Sequence, residues 1–389
     1  MVRRRMPLAP WCAAAIVLAT LVAAPLRADW VAAWTAAPFP ATPVLTEHDV
    51  RDYAGATVRQ DIVPNSSGRR LRVRMTNALG ITPLTFRSAS VQVGGRTLPL
   101  RFGGRAGATL PAGADLASDP VRMPVRAFQP IAVDIRYDAG PSPAAHLLTV
   151  TAHYPDGRSR TGRGPALAAA VEVDRAFPGP VIVAFGDSIT EGARATPQSF
   201  TGWPERFAAR LATLPRHRGW SVVNAGIHGN RLLRDFAGPS ALARFDRDVV
   251  AVAGVGAVIV LEGINDLGWG NARPASDGPV TATDIIAAYR QLIDRGHAAD
   301  LRMIGATLLP YRGSVYFTPA GEEVRRTVNH WIRTSRSFDG VVDFEQAMAD
   351  PDDRTRLDPT KDSGDHLHPS DAGYAAMAAA IDPRLLSTR

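Results

Sequence analysis

A single cysteine and a single lysine stand among the 389 residues of this chain. Cys12 falls within the first 28 residues, so the chain beyond them has no thiol. That excludes a disulfide, a thiol nucleophile and a cysteine metal site, and leaves stability to packing. The context Ala9-Pro10-Trp11-Cys12 lacks the small residues that precede a lipid-modified cysteine. Apart from Lys361, the bases are arginines scattered along the chain, with no basic run and no alternation of bases with aromatics. No nucleic-acid partner is expected from such a surface. Glycine-rich phosphate loops, a dinucleotide fingerprint and metal-binding pairs of the His-Glu-x-x-His kind are all missing, so no cofactor and no metal are expected. With 46% hydrophobic and 21% charged residues, the composition is that of a globular domain.

Only one long apolar run occurs, and it lies at the start. Arg3, Arg4 and Arg5 precede a mostly apolar stretch from Leu8 to Ala24, and Leu26-Arg27-Ala28 ends in a small residue. Residues 1–28 read as a secretory signal peptide, which predicts a secreted or periplasmic protein with no stable membrane insertion after cleavage. The run is interrupted by Pro10 and ended by Pro25, and is short for spanning a bilayer. Four of the seven excess positive charges are arginines of this leader (Arg3, Arg4, Arg5, Arg27), which leaves +3 on the rest.

The remaining chain has two textures, and its length also favours two domains. Residues 29–178 are rich in Gly, Pro, Thr, Val and Arg. Arg70 to Thr76 and Ile131 to Tyr137 alternate polar with apolar, as half-buried strands do. Leu84 to Val93 and Leu147 to His153 are further strands, and Gly94-Gly95 marks a hairpin turn before Thr97 to Leu100. An antiparallel β-sandwich or jelly-roll is expected here. Residues 179–389 alternate apolar strands with amphipathic helices. Strands are expected at Val181–Phe185, Ser221–Asn224, Ala257–Glu262, Arg302–Leu308 and Val341–Phe344. Helices are expected at Trp203–Leu214, Pro239–Val249, Thr283–Ala298, Ala320–Arg336 and Ser370–Ile381. Such alternation implies an α/β fold, a parallel sheet covered by helices on both faces.

The chemistry gathers at the ends of these strands. Gly186-Asp187-Ser188 closes a buried β-branched run, which places Ser188 at the carboxyl end of the sheet. Read only as a turn, the same stretch would use Ser188 or Thr190 as a helix cap. Asn224-Ala-Gly-Ile-His-Gly-Asn230 follows the second strand and Gly263-Ile-Asn-Asp266 the third. Asp365-His-Leu-His-Pro369 precedes the last helix. These four blocks, in this order over about residues 180–385, resemble the SGNH hydrolases, also called the GDSL esterase/lipase superfamily. The resemblance implies a three-layer α/β/α, flavodoxin-like catalytic domain that hydrolyses esters.

A serine hydroxyl needs a base to become a nucleophile, and an imidazole needs an acid to orient it. The resemblance assigns these roles to Ser188, His368 and Asp365, with the oxyanion met by the backbone N–H of Ser188 and Gly229 and the side-chain amide of Asn265. His366 and Asp362 are the local rivals, and Gly226 is the rival of Gly229. Asp187 and Asp266 are expected to hold their own loops. Trp269, Tyr311, Tyr316 and Phe317 are candidates to line a substrate pocket, and Trp30 and Trp34 to dock their segment onto one of the domains. Three functions compete: a serine carboxylesterase for short acyl or aryl esters, a carbohydrate O-acetylesterase acting on polysaccharide, and a silent binding protein on the same scaffold. The partner in the first two is a small-molecule or polysaccharide ester.

Overall fold

The computed structural model describes residues 30–39, 53–138, 146–175, 179–196, 200–269 and 278–386. Residues 1–28, read above as a leader, lie outside them. The described residues of the first half hold eleven strands. These are β1 (Trp30–Thr35), β2 (Thr57–Ile62), β3 (Gly68–Thr76), β4 (Leu84–Val93), β5 (Arg96–Leu100) and β6 (Ala108–Leu110). They continue with β7 (Asp115–Ala117), β8 (Ile131–Tyr137), β9 (His146–His153), β10 (Ser159–Ala166) and β11 (Ala168–Arg175). They form two antiparallel sheets, β1-β11-β3-β7 and β10-β9-β2-β8-β4-β5, with β6 paired to β4.

The period-two pattern decides the faces. In β3, Leu71, Val73 and Met75 are buried, while Arg70 pairs with Asp174 at 2.7 Å and Arg74 with Glu172 at 2.7 Å. The two sheets are tied by buried Gln60, which receives the Ala168 N–H at 2.9 Å and donates to the Ala168 carbonyl. Gly94 and Gly95, both at positive φ, close the β4–β5 hairpin as expected.

The second half is a five-stranded parallel sheet: β12 (Val181–Gly186), β13 (Ser221–Gly226), β14 (Val255–Leu261), β15 (Arg302–Ala306) and β16 (Gly340–Val342). Its order is β13-β12-β14-β15-β16, the flavodoxin-like order. Crossovers leave β12 toward one edge and β14 toward the other, so right-handed connections place helices on both faces. Among the helices are α1 (Ser188–Glu191), α2 (Trp203–Thr213), α3 (Ala241–Phe245) and α4 (Ile264–Leu267). They are followed by α5 (Ala282–Ala298), α6 (Pro319–Thr334), α7 (Phe344–Met348) and α8 (Asp371–Ala380). The expected helix at Pro239–Val249 is broken: α3 runs into a π-turn at Asp246–Val250. The expected strand at Val341–Phe344 stops at Val342, because Asp343 accepts the Gln346 N–H and caps α7.

Strand β1 joins the halves. It pairs with β11, yet the Ala32 N–H donates to the Ala253 carbonyl at 2.9 Å and the Ser221 hydroxyl donates to the Ala32 carbonyl at 2.8 Å. Trp30 lies under the guanidinium of Arg72, 4.7 Å from its centroid. Buried apolar residues of both halves form one contiguous cluster. Among the described residues no helix is long and apolar enough to cross a membrane.

Candidate active site

Register puts the functional loops side by side. Gly186 of β12 pairs with Gly226 of β13 and Leu261 of β14, so the three strands end at one level. The chain then reaches Ser188, Gly229 and Asn265 within a few residues of each end. β12 is buried along its whole length, which gives Ser188 a rigid base. Gly186 must lack a side chain, because a Cβ there would lie 2.3 Å from both the Leu261 carbonyl oxygen and Thr190 Oγ1.

Ser188 opens α1, a single turn, and is buried at 4% exposure. The cap is neither Ser188 nor Thr190 but Asp187, whose Oδ1 accepts the Ile189 N–H at 2.9 Å. An N-cap precedes the first helical residue, and the turn begins at Ser188 itself. Gly192 ends the turn in the left-handed region at φ 100°.

His368 comes from the loop before α8. Its Nε2 lies 2.9 Å from Ser188 Oγ and its Nδ1 2.8 Å from Asp365 Oδ2. A carboxylate only accepts, so Nδ1 carries the proton and Nε2 presents its lone pair to the serine hydroxyl. The other carboxylate oxygen of Asp365 accepts the backbone N–H of His368 at 2.8 Å and of Leu367 at 3.0 Å. Burial pushes the Asp365 carboxyl up, but the bonds from His368 and Leu367 outweigh it and hold the group well below the usual carboxylate range.

The rivals pair with each other. His366 Nδ1 lies 2.6 Å from Asp362 Oδ2, and the His366 N–H donates to Asp362 Oδ1 at 3.1 Å. His366 has a positive φ of 60°, and its ring lies against Gly313. The sequence Asp362–His368 thus holds two acid–imidazole pairs, of which one reaches Ser188.

The three expected oxyanion donors stand on the turns that follow β12, β13 and β14. As the first residue of a helical turn, Ser188 has an N–H with no intrahelical acceptor. Gly229 sits at φ 71° in the turn after β13, and its N–H makes no hydrogen bond among the described residues. The Asn265 amide lies in α4 and donates one hydrogen to the Asn230 carbonyl at 2.8 Å, leaving a second N–H. Gly226 is a different kind of glycine: a Cβ on it would fall 2.2 Å from the Glu191 backbone nitrogen. It permits β13 to approach α1.

Beneath these loops lies a buried web that the motifs alone do not reveal. Arg244 of α3, 1% exposed, donates from Nη2 to the Gly186 carbonyl at 2.9 Å and from Nη1 to the Ala225 carbonyl at 2.8 Å. Its Nε donates to Asn230 Oδ1 at 2.8 Å. Asp248 and Glu262 stand 3.2 and 3.5 Å from the same guanidinium. Asp266 reaches beyond its own loop. Its carboxylate accepts the N–H groups of Leu232 at 2.7 Å and Leu233 at 3.0 Å, on the loop after β13. Burial pushes Asp187 up to about 7, Asp266 to about 6, and Glu262 well above its ordinary value. In sequence Arg244 is one of two arginines in the stretch Pro239–Val249, and nothing there marks it as the buried one.

A pocket of about 470 Å³ opens beside the site, between the two halves. The β-rich half supplies Trp34, Phe39 and Asp61, and the catalytic half supplies Glu191, Glu205 and His228. The four aromatics proposed for this role do not line it. Trp269 packs against Phe236 and Tyr316, and Tyr311 is fully buried beside Phe317. Among the described residues no group of three or more His, Cys, Asp or Glu has the arrangement of a metal site.

Comparison with known proteins places this geometry in a class. Residues 184–376 match the model of the GDSL-like lipase/acylhydrolase family, and the chain belongs to that family through this α/β domain. It is therefore a carboxylic ester hydrolase of the GDSL type. No curated protein sequence matches significantly. Among solved structures it resembles a GDSL-like lipase from Bacteroides thetaiotaomicron at 21% identity and a TM-score of 0.38, covering 53% of this chain and 87% of that one. It also resembles an acetylxylan esterase from Geobacillus stearothermophilus at 24% identity and a TM-score of 0.41, covering 54% and 95%.

Proposed function

We propose that this hydrolase cleaves short acyl or aryl esters through an acyl-enzyme on Ser188. The reading rests chiefly on one observation, the relay from Asp365 through His368 to the Ser188 hydroxyl at 2.8 and 2.9 Å. His368 Nε2 takes the serine proton as Oγ attacks the ester carbonyl. The carbonyl oxygen becomes an oxyanion facing the N–H of Ser188, the N–H of Gly229 and the second N–H of Asn265. His368 then gives its proton to the departing alkoxide. Water, deprotonated by the same nitrogen, releases the acid and restores the serine. Asp365 stabilises the imidazolium without itself becoming protonated.

The test is hydrolysis of p-nitrophenyl acetate, butyrate and octanoate beside Ser188→Ala. Turnover across chain lengths that vanishes in the variant is the expected result. Turnover confined to acetate and to acetylated xylan would assign polysaccharide deacetylation instead. Export, argued from residues 1–28, is checked by finding the protein outside the cytoplasm with its leader removed.

A further inference from the structure

The pocket between the halves lies on the histidine side of the reaction. The His228 ring faces the His368 ring nearly in parallel, 12° apart with centroids at 6.1 Å, and forms part of the pocket wall. His368 must stand beside the leaving oxygen in order to protonate it. The alcohol part of the ester therefore points into this pocket, and the acyl part points away from it.

The lining has a marked charge character. Among the described residues it contains three carboxylates (Asp61, Glu191 and Glu205) and neither lysine nor arginine. Glu205 Oε1 accepts from the Asn224 amide at 3.0 Å, but its buried Oε2 has no hydrogen-bond partner among the described residues. An unpaired carboxylate oxygen in a dry site is costly, and a cation entering the pocket would offset that cost. Burial raises the Glu205 pKa, against the opposing pull of the Asn224 amide and of its own backbone N–H. Trp34, Phe39 and Phe200 supply aromatic surface on the same walls. Aromatic faces with carboxylates are the chemistry that recognises ammonium groups.

Resting on the esterase reading above, we propose that the interdomain pocket binds the alcohol part of the ester and selects alcohols that carry an ammonium group. The β-rich half is then a component of the substrate site, through Trp34, Phe39 and Asp61.

The test compares three acetate esters with the same acyl group: acetylcholine, its uncharged isostere 3,3-dimethylbutyl acetate, and anionic 3-acetoxypropionate. Acetylcholine should exceed the isostere in kcat/KM by about tenfold at low salt, and the anion should be the poorest. The preference should shrink with added salt. Asp61→Asn and Glu205→Gln should each bring the cation-to-isostere ratio toward one, with folding checked by thermal unfolding. A second readout needs no turnover. Choline should bind the Ser188→Ala protein in calorimetry and bind more weakly when Asp61→Asn is added. A ratio at or below one, or no choline binding, overturns the proposal. If serine-dependent hydrolysis is itself absent while choline binds, the esterase reading falls and the pocket assignment stands.

Discussion

Arg244 and Asn230 are joined by a buried hydrogen bond of 2.8 Å, and Asn230 in turn receives the Asn265 amide on its carbonyl oxygen. One guanidinium thus fixes the ends of β12 and β13 and the residue that orients Asn265. Removing it leaves buried Glu262 without its cation, while Asp248 keeps Arg247 at 2.6 Å. Arg244→Ala should cost roughly 3–5 kcal/mol of stability in denaturant titration. Arg244→Lys keeps the charge but cannot span these acceptors at once, so kcat should fall by about tenfold or more with little change in KM.

His366 and His368 offer a direct contrast, since each holds its own aspartate but only one reaches Ser188. His368→Ala should lower kcat by roughly 10⁴-fold or more, while His366→Ala should keep most of it. Steady-state kinetics on p-nitrophenyl acetate decide this, and equal losses would contradict the assignment.

Asn265→Ala removes one donor from the developing oxyanion. The expected loss is about 10²–10³-fold in kcat, with unchanged folding and similar KM.

Asp365→Asn should lower kcat by roughly 10⁴-fold, because an amide no longer fixes the tautomer or stabilises imidazolium. It also has a pH signature in stability. The folded carboxyl titrates below its unfolded value near 4, so its stabilising contribution is present above that value. The contribution fades as the pH falls toward the depressed folded value. The stability gap between wild type and Asp365→Asn should therefore be full at neutral pH and close in strong acid.

Asp187 behaves in the opposite sense. Burial raises its carboxyl to about 7, so the folded state favours the protonated form. That contribution is present below the unfolded value near 4 and is lost as the pH rises to about 7, by up to about 1.4 kcal/mol per pH unit. Asp187→Asn keeps an acceptor for the Ile189 N–H and removes this titration. Its stability relative to wild type should rise between pH 4 and 7, as seen by thermal unfolding.

Legibility in the sequence followed how local the cause was. The β8 span was read to the residue because Ile131–Tyr137 alternates cleanly. The β10 strand was missed because Ser159–Ala166 carries two glycines and a proline with little apolar pattern, and its pairing with β9 along the sheet edge defines it. The residues brought to Ser188 come from short loops after strands or just before a helix, so their motifs survive as compact words. The Arg244 web and the pocket are contacts between distant elements. Trp34 and Asp61 gain meaning only when β1 and β2 are brought against Glu191 and His228. Trp269 and Tyr316 stand outside that pocket and pack on each other, as loop aromatics can as readily as on a ligand.

The leading strand has a consequence for any attempt to cut the chain in two. A break near residue 178 would separate the α/β domain from Ala32, whose N–H and carbonyl bond to Ala253 and Ser221. It would also remove Asn65, which accepts the Ser221 hydroxyl and donates to the Val222 carbonyl. The excised domain would carry a raw flank along β13 and only one wall of the pocket between the halves. The halves are separate in architecture but sewn together mechanically, and they should melt as one.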